Sequence, residues 1–193
     1  TYMIEFDGEC PPAAPWGQEE VFCSPDLVRR LDVLEPRRPE VCVVFGAGGA
    51  LGPDVVHALL RRSAAVIGID KQLTYWVKGA QYRKLDLNDS TAVRAFFHRL
   101  RDAASASKLS LGPIIDLATI QTSATDGTNR GALVQGKQAV VDALCDGDDD
   151  VRFVYMSTAE VYGAPEGAPY GEGHVKEPIN VYGRHKLAEE RAM

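Results

Sequence analysis

The sequence predicts an α/β protein with a doubly wound parallel sheet, on the strength of two observations. Short apolar runs rich in β-branched residues alternate along the chain with segments of helical periodicity. These runs are apolar at nearly every position, which is typical of parallel strands covered by helices on both faces. Regular alternation of strand and helix indicates right-handed βαβ units that build one sheet.

Five strands, and three helices between them, are predicted from Val41 onward. The strand segments are 41–45, 65–69, 82–85, 114–117 and 151–156, and the helices are 53–62, 90–101 and 131–144. In the second helix, the 3.6-residue period directs four apolar side chains inward, namely Val93, Phe96, Phe97 and Leu100. In the third helix it predicts an inward face made of Leu133, Val134, Val140, Val141 and Leu144. A helix cap is expected at 88–90.

Residues 1–40 have a different composition from the rest of the chain. Six of the eleven prolines fall there, and they break any long helix or strand. We expect 1–40 to form a Pro-rich N-terminal arm with one short capped helix after Ser24. Residues 41–193 are expected to form a single folded domain.

Composition and charge exclude several classes of function. The net charge is −6, from 21 basic and 27 acidic residues, which gives no basic footprint for a nucleic acid. No apolar run approaches the roughly 20 residues of a membrane-spanning helix, and Thr1 does not open a basic signal peptide. We therefore expect a cytoplasmic protein with neither a nucleic-acid partner nor a membrane partner.

The four cysteines give no sign of a metal site. Cys10, Cys23, Cys42 and Cys145 form no C-x-x-C pair, and no histidines cluster with them. Cys42 lies in an apolar strand pattern and Cys145 in an apolar helix pattern, where cysteine acts as a small hydrophobic residue. We expect free thiols in a reducing compartment.

A glycine-rich turn directly follows the first predicted strand and opens the first helix. The segment is Gly46-Ala47-Gly48-Gly49-Ala50-Leu51-Gly52, followed by Pro53, which suits a first helical turn. Such a turn allows close backbone approach, and the helix N-terminus directs free N–H groups at a pyrophosphate. The position indicates a Rossmann-type dinucleotide-binding fold.

The predicted second strand ends in an acidic residue. Asp70 stands where such folds place the carboxylate that binds the adenosine ribose, and a carboxylate repels a 2'-phosphate. The cofactor predicted is therefore NAD rather than NADP. The positive charge of Lys71, beside Asp70, would reduce this preference for NAD. Asp86 and Leu87 follow the third strand and are expected to flank the adenine.

Two further segments carry groups suited to acid–base chemistry. Tyr182 and Lys186 stand at i and i+4 on one predicted helix face, where the ammonium lowers the phenol pKa and the tyrosinate can accept a proton from a substrate hydroxyl. The segment 155–163 ends the fifth strand at the carboxyl edge of the sheet, where a hydroxyl can bind the same substrate oxygen.

These motifs together resemble the extended short-chain dehydrogenases/reductases, specifically the NAD-dependent nucleotide-sugar epimerase/dehydratase family, over residues 41–193. Gly46, Gly49 and Gly52 match G-x-x-G-x-x-G, residues 157–163 match S-[ST]-x-x-V-Y-G, and 178–186 match P-x-x-x-Y-G-x-x-K. The resemblance implies that Thr158 is the catalytic hydroxyl, that Tyr182 is the base and that Lys186 binds ribose. Ser157 competes with Thr158 for the hydroxyl role.

The resemblance also implies a set of cofactor contacts. They are Gly46, Gly49, Ala50, Leu51, Gly52, Asp70, Lys71, Asp86, Leu87, Leu117, Ala118, Thr119, Tyr182 and Lys186. Glu160 resembles the glutamate by which dehydratases and uronate decarboxylases assist proton transfer or elimination, although Ala159 replaces the usual dehydratase aspartate.

Three departures from the family pattern affect the expected chemistry. Asp116 replaces a histidine that usually opens the segment after the fourth strand, and Leu133 replaces an asparagine. The stretch 118–136 is a few residues shorter than usual, and its Thr-, Ser- and Gly-rich part, 121–131, lies beside the nicotinamide in relatives.

The expected function is NAD-dependent modification of a nucleotide-activated sugar, as an epimerase, dehydratase or decarboxylase, through transient oxidation at a sugar carbon. The alternative is a catalytically reduced NAD-binding or scaffold protein of the same fold. A homodimer is expected, and because few residues follow Lys186, the last strands and the C-terminal substrate-binding region are expected to lie outside these 193 residues.

Overall fold

The computed structural model describes residues 38–119, 128–147, 151–164 and 171–193. The short helix predicted after Ser24 lies outside the described residues, as does most of the stretch 121–131. Five strands form one parallel sheet in the order β3-β2-β1-β4-β5. The strands are β1 Arg38–Phe45, β2 Ser63–Asp70, β3 Gln81–Lys84, β4 Ser110–Asp116 and β5 Phe153–Tyr155. The predicted parallel, doubly wound sheet is confirmed.

Four α-helices and one 3-10 turn complete the described fold. The helices are α1 Gly52–Leu60, α2 Ser90–Ala106, α3 Thr128–Cys145 and α4 Val181–Ala192, and the 3-10 turn covers Ala159–Tyr162. Asp89 caps α2 by accepting a hydrogen bond from Ala92 N at 2.9 Å, within the cap segment that the sequence predicts. β1 begins at Arg38, so the sheet takes in the last three residues of the expected arm.

β4 begins earlier than predicted, because glycine and proline interrupt the apolar run that marks it in the sequence. Its pairing with β1 shifts register between Val41 and Val43, opposite the segment that contains Pro113. Proline has no N–H to donate to a sheet ladder, so the irregularity falls where the sequence requires it. Beyond Pro113, Ile114 resumes regular pairing with Val43.

The core of the sheet's first face is aromatic. Phe45 of β1 meets Phe96 and Phe97 of α2, and the centroids of the last two rings are 5.3 Å apart in an edge-to-face arrangement. All four predicted inward residues of α2 are buried, as predicted. The opposite face has a smaller core under α1, made of Val44, Ala47, Val56, Val66, Val77 and Tyr82.

The buried face of α3 differs from the predicted one. Val134, Val141 and Leu144 are half-buried, whereas Ala139, Ala143 and Lys137 are buried with the predicted Leu133 and Val140. The helix packs between α2 and α4, so its burial follows contacts with two helices rather than one apolar stripe. Cys145, expected in the core, is exposed at the end of α3, whereas Cys42 is buried; both are free thiols.

Within the ranges that the structure describes, no helix is both long and apolar enough to cross a membrane.

Removal of one core ring tests the packing of α2 on the sheet. Phe97 has no exposed surface and contacts both neighbouring rings, so Phe97→Ala is expected to lower the free energy of unfolding by about 3–5 kcal/mol in urea denaturation. His98→Ala, at the exposed adjacent position, should change it by less than about 0.5 kcal/mol. Equal effects of the two substitutions would show that α2 does not pack as described.

Candidate functional site

A cleft of about 540 Å³ opens at the carboxyl edge of the sheet. Eleven of the predicted cofactor contacts line it: Gly46, Gly49, Ala50, Leu51, Asp70, Lys71, Asp86, Leu87, Leu117, Ala118 and Thr119. Gly52, Tyr182 and Lys186 are not part of its lining. The walls also include side chains to which the sequence assigned no role, among them Thr74 and Tyr75.

The glycine turn lies tight against the end of β4. Gly46 has φ +74°, a conformation that L side chains rarely adopt, and a Cβ there would lie 2.7 Å from Ala118 N. The turn is further fixed by a hydrogen bond from Gly46 N to the carbonyl of Ile69 at 2.8 Å. Only glycine allows the chain to leave β1 in this direction, so the sequence determines the floor of the cleft.

Two backbone donors at the start of α1 have no partner in the described part of the chain. Gly49 N and Gly52 N donate within the turn, but no such bond is described for the N–H groups of Ala50 and Leu51. Leu51, the N-cap residue, supplies no side-chain acceptor. Free N–H groups at a helix N-terminus are a site for an anion, and the helix dipole adds to the attraction.

Asp70 connects the glycine turn to the chain that follows β2. Its Oδ2 accepts a hydrogen bond from Gly48 N at 3.0 Å, and its Oδ1 accepts one from Gln72 N at 3.1 Å. A Cβ on Gly48 would lie 2.4 Å from the carbonyl oxygen of Gln72. Each carboxylate oxygen keeps acceptor capacity on the cleft side, which suits two ribose hydroxyls.

Gly48 is therefore a site residue that the sequence analysis named only as part of a run. Its signal was the extra glycine inside G-x-x-G-x-x-G, which the motif itself does not require.

Asp86 lines the cleft and also stabilises a turn. Its Oδ1 accepts a hydrogen bond from Asn88 N at 2.9 Å, directly before the N-cap of α2. The turn arrangement accounts for one of its oxygens, and its predicted contact with adenine stays a prediction.

The predicted catalytic hydroxyl lies where β5 passes into the 3-10 turn. Thr158 is the N-cap of that turn, and its Oγ1 accepts a hydrogen bond from Glu160 N at 3.4 Å. A hydroxyl that accepts in this way keeps its own proton for donation. Ser157, the competing hydroxyl, instead donates to the carboxylate of Glu190.

Glu160 joins the 3-10 turn to the helix that carries Tyr182. Its Oε2 accepts a hydrogen bond from Asn180 Nδ2 at 2.5 Å, and Asn180 Oδ1 caps α4 by accepting from Gly183 N at 2.7 Å. A Cβ on Gly183 would lie 2.5 Å from the carbonyl oxygen of Glu160, so the first turn of α4 packs directly on the 3-10 turn. Tyr182, half-buried, therefore stands beside the segment that begins at Thr158.

A group of ionisable side chains lies beneath the cleft wall, and we call Asp116, Lys137, Tyr155, Lys186 and Glu189 the ion cluster. All of them are buried except Tyr155, which is half-buried. Lys137 Nζ lies 2.9 Å from Asp116 Oδ2, 2.8 Å from Glu189 Oε2 and 2.6 Å from the carbonyl oxygen of Ala118. Glu189 Oε2 also accepts from Tyr155 OH at 2.5 Å and from Lys186 Nζ at 3.3 Å. His185 Nε2 stands 3.5 Å from the other oxygen of Glu189.

Burial is the largest single influence on the pKa of Asp116, Tyr155, Lys186 and Glu189, and it sets the direction of the shift for all but Glu189. It raises the pKa of Asp116 above its usual range against the opposing attraction of Lys137, and it lowers the pKa of Lys186 against the opposing attraction of Glu189. Burial would also raise the pKa of Glu189, but Lys137 and the other donors reverse the direction and hold it below its usual range. Burial and the hydrogen bond to Glu189 raise the pKa of Tyr155.

The predicted pairing of Lys186 with Tyr182 is not among the contacts of the described residues. Lys186 Nζ donates to Glu189 and lies 4.3 Å from the centroid of the Tyr155 ring. Its predicted roles on the ribose and on the Tyr182 phenol stay predictions.

The sequence analysis missed Lys137 and Glu189, whose side chains are fully buried. One signal was available: Lys137 follows Leu133 by four positions and precedes Val140 by three, so it shares the buried face of its helix.

The sheet order, the glycine turn and the acid at the end of β2 define a Rossmann-type dinucleotide-binding domain. The model of the NAD dependent epimerase/dehydratase family matches residues 42–193, and the chain belongs to that family.

Two curated relatives and one solved structure illustrate the similarity. The chain is 32% identical over 153 residues to dTDP-4-keto-6-deoxy-D-glucose reductase of Streptomyces niveus, covering 78% of this chain and 46% of the relative. It is 30% identical over 154 residues to dTDP-4-dehydrorhamnose reductase of Streptomyces griseus, covering 78% and 44%. It shares its fold with the Bordetella bronchiseptica enzyme WbmH in complex with NAD+, at a TM-score of 0.64 and 23% identity over 79% of this chain and 51% of that one. The chain thus spans about half the length of these proteins.

Substitution of Gly48 tests the contact between the glycine turn and the end of β2. A methyl group at Gly48→Ala meets the backbone at Gln72, so the turn must move away from Asp70, and NAD+ affinity measured by calorimetry should fall by about tenfold or more. Gly173→Ala is the control, because its Cβ enters open space. Unchanged affinity in Gly48→Ala would contradict this geometry of the cleft.

Proposed function

We propose that this protein binds NAD in the cleft and uses it to transfer hydride at a carbon of a nucleotide-activated sugar. The observation that carries the proposal is the convergence, in one cleft, of the free N–H groups of Ala50 and Leu51 with the Asp70 carboxylate. An anion site and a diol acceptor that line the same cleft suit the pyrophosphate and the adenosine ribose of a dinucleotide.

The residues of the cleft fit the adenosine half of NAD. Ala50 and Leu51 would bind the pyrophosphate, and Asp70 would accept hydrogen bonds from the adenosine ribose. Lys71 is exposed beside Asp70 and adds positive charge without a fixed contact to that carboxylate among the described residues. When bound, NAD supplies the hydride acceptor or donor of the reaction.

The chain's own groups supply the proton chemistry. Tyr182 would take the proton from a sugar hydroxyl during oxidation, or return it to the keto oxygen during reduction, while Thr158 donates a hydrogen bond to the same oxygen. Glu160, exposed beside them, would assist a second proton transfer if its bond to Asn180 opens. Epimerisation, dehydration, decarboxylation and keto reduction all include this proton and hydride exchange.

The names of the relatives support the substrate class. Two curated reductases are named for dTDP-linked keto sugars, and the family name covers epimerases and dehydratases. We propose a nucleoside-diphosphate sugar as substrate and a homodimer in the cytoplasm as the working form.

A second candidate is an NAD-binding or scaffold protein with reduced turnover. Lys186 favours it, because its ammonium contacts Glu189 and Tyr155 in the described structure rather than Tyr182. Asp116 and Leu133, which differ from the usual residues of the family, also favour reduced turnover.

Cofactor choice tests the role assigned to Asp70. We expect NAD+ to bind at least about tenfold more tightly than NADP+, because a carboxylate at this position repels a 2'-phosphate. Asp70→Ser should reduce that ratio, whereas Asp54→Ser, on α1 and outside the cleft lining, should leave it unchanged. Preferential binding of NADP+ by the unaltered protein would refute the assignment.

Turnover separates the two candidates. With a panel of dTDP- and UDP-sugars, product masses should reveal conversion of at least one sugar, and Tyr182→Phe should lower that rate by about 100-fold or more with NAD+ affinity retained. Tyr162→Phe, on the neighbouring 3-10 turn, is the phenol control. A folded, NAD-loaded protein that converts none of the sugars would favour the second candidate.

A further inference from the structure

Lys137 is the most fully satisfied cation of the ion cluster. An ammonium has three N–H donors, and Lys137 Nζ has three acceptors within 2.9 Å: Asp116, Glu189 and the carbonyl of Ala118. Its side chain has no exposed surface. Ala118 also lines the cleft, so this ammonium lies directly beneath the cleft wall.

Lys186 is held much more loosely. Its one hydrogen bond among the described residues is the 3.3 Å contact with Glu189, and its Nζ lies 4.3 Å from the centroid of the Tyr155 ring. The Glu189 oxygen that it contacts already receives shorter bonds from Lys137 and Tyr155. Lys186 therefore competes weakly for Glu189 and keeps N–H donors that Glu189 does not use.

The charges explain this difference. The ion cluster contains two carboxylates, Asp116 and Glu189, and two ammonium groups, all at most 2% exposed. Lys137 contacts both carboxylates, so it offsets one of the two negative charges that would otherwise attract Lys186. A buried charge left without a partner is strongly unfavourable, so without Lys137 the two carboxylates would draw Lys186 inward.

We propose that Lys137 is a positioning residue of the cofactor site, which binds Asp116 and Glu189 and offsets part of their negative charge, so that Lys186 can donate hydrogen bonds to the nicotinamide ribose of NAD. The inference rests on the proposed function, because it needs Lys186 as a cofactor contact. Lys137 itself touches no cofactor. It acts through the charge that it removes from beneath the site.

A comparison of two ligands separates positioning from folding. NAD+ should reach both the glycine turn and Lys186, whereas ADP carries only the adenosine and phosphates and should reach the glycine turn alone. In the intact protein, Lys137→Met should weaken NAD+ binding by about tenfold or more and leave ADP binding within about twofold, by calorimetry. Arg94→Met is the matched control: it removes the exposed Arg94–Asp142 pair between α2 and α3 and should change neither affinity.

Charge removal on Glu189 supplies the second test, and it holds even if Lys137→Met does not fold, as judged by circular dichroism melting. Glu189→Gln alone should leave NAD+ affinity within about threefold. The reason is that Glu189 competes with the nicotinamide ribose for the Lys186 ammonium and does not hold Lys186 in position for the ribose. Where Lys137→Met folds, the double variant Lys137→Met/Glu189→Gln should recover most of the lost affinity.

Three results would overturn the inference. Equal weakening of NAD+ and ADP in Lys137→Met would show a structural role only, and unchanged NAD+ affinity would show no role. A large loss of NAD+ affinity in Glu189→Gln would show that Glu189 anchors Lys186 instead. If the unaltered protein binds neither NAD+ nor ADP, the proposed function fails and the inference fails with it.

Discussion

The site depends on one buried ammonium group. Lys137 joins the end of β4, through Asp116 and Ala118, to α4, through Glu189, and it does so from α3 without contact with solvent. The cleft wall at Ala118 and the helix that carries Tyr182 and Lys186 therefore share one electrostatic support. Loss of Lys137 would leave two carboxylates buried without their main partner. Such a change is among those that lower the free energy of unfolding most.

Such a cluster is a poor way to gain stability alone. Apolar side chains of similar size often replace buried ion pairs at no loss, because desolvation offsets much of the attraction. The ion cluster joins the predicted catalytic helix to β4 and α3, while the rest of the core on this face is apolar and aromatic. Perturbed buried charges in this position are more typical of a functional site than of a folding device, which supports a role for the cluster in the chemistry above it.

The sequence predicted the parts of the structure that follow from local rules. Gly46 requires its backbone conformation, Asp89 caps a helix, and the apolar face of α2 has a regular period, so local rules predicted the sheet and the glycine turn. The family resemblance added most of the eleven predicted residues that line the cleft. The predictions failed where contacts with elements distant in the sequence determine which side chains are buried. Burial on α3 depends on contacts with two other helices, and Lys137 reads as a surface lysine until Asp116 and Glu189 are known to face it. The position of Lys186 likewise depends on charges from β4 and α3 as well as its own helix.

A crystal structure of the protein with NAD+ would measure the distances from Lys186 Nζ to the cofactor. We predict that Nζ lies within hydrogen-bond distance of the nicotinamide ribose hydroxyls while Lys137 keeps its contacts with Asp116, Glu189 and Ala118. We also predict the pyrophosphate on the N–H groups of Ala50 and Leu51. A ribose without contact to Lys186, with that ammonium still bound to Glu189, would contradict the account, as would NAD+ bound outside the cleft.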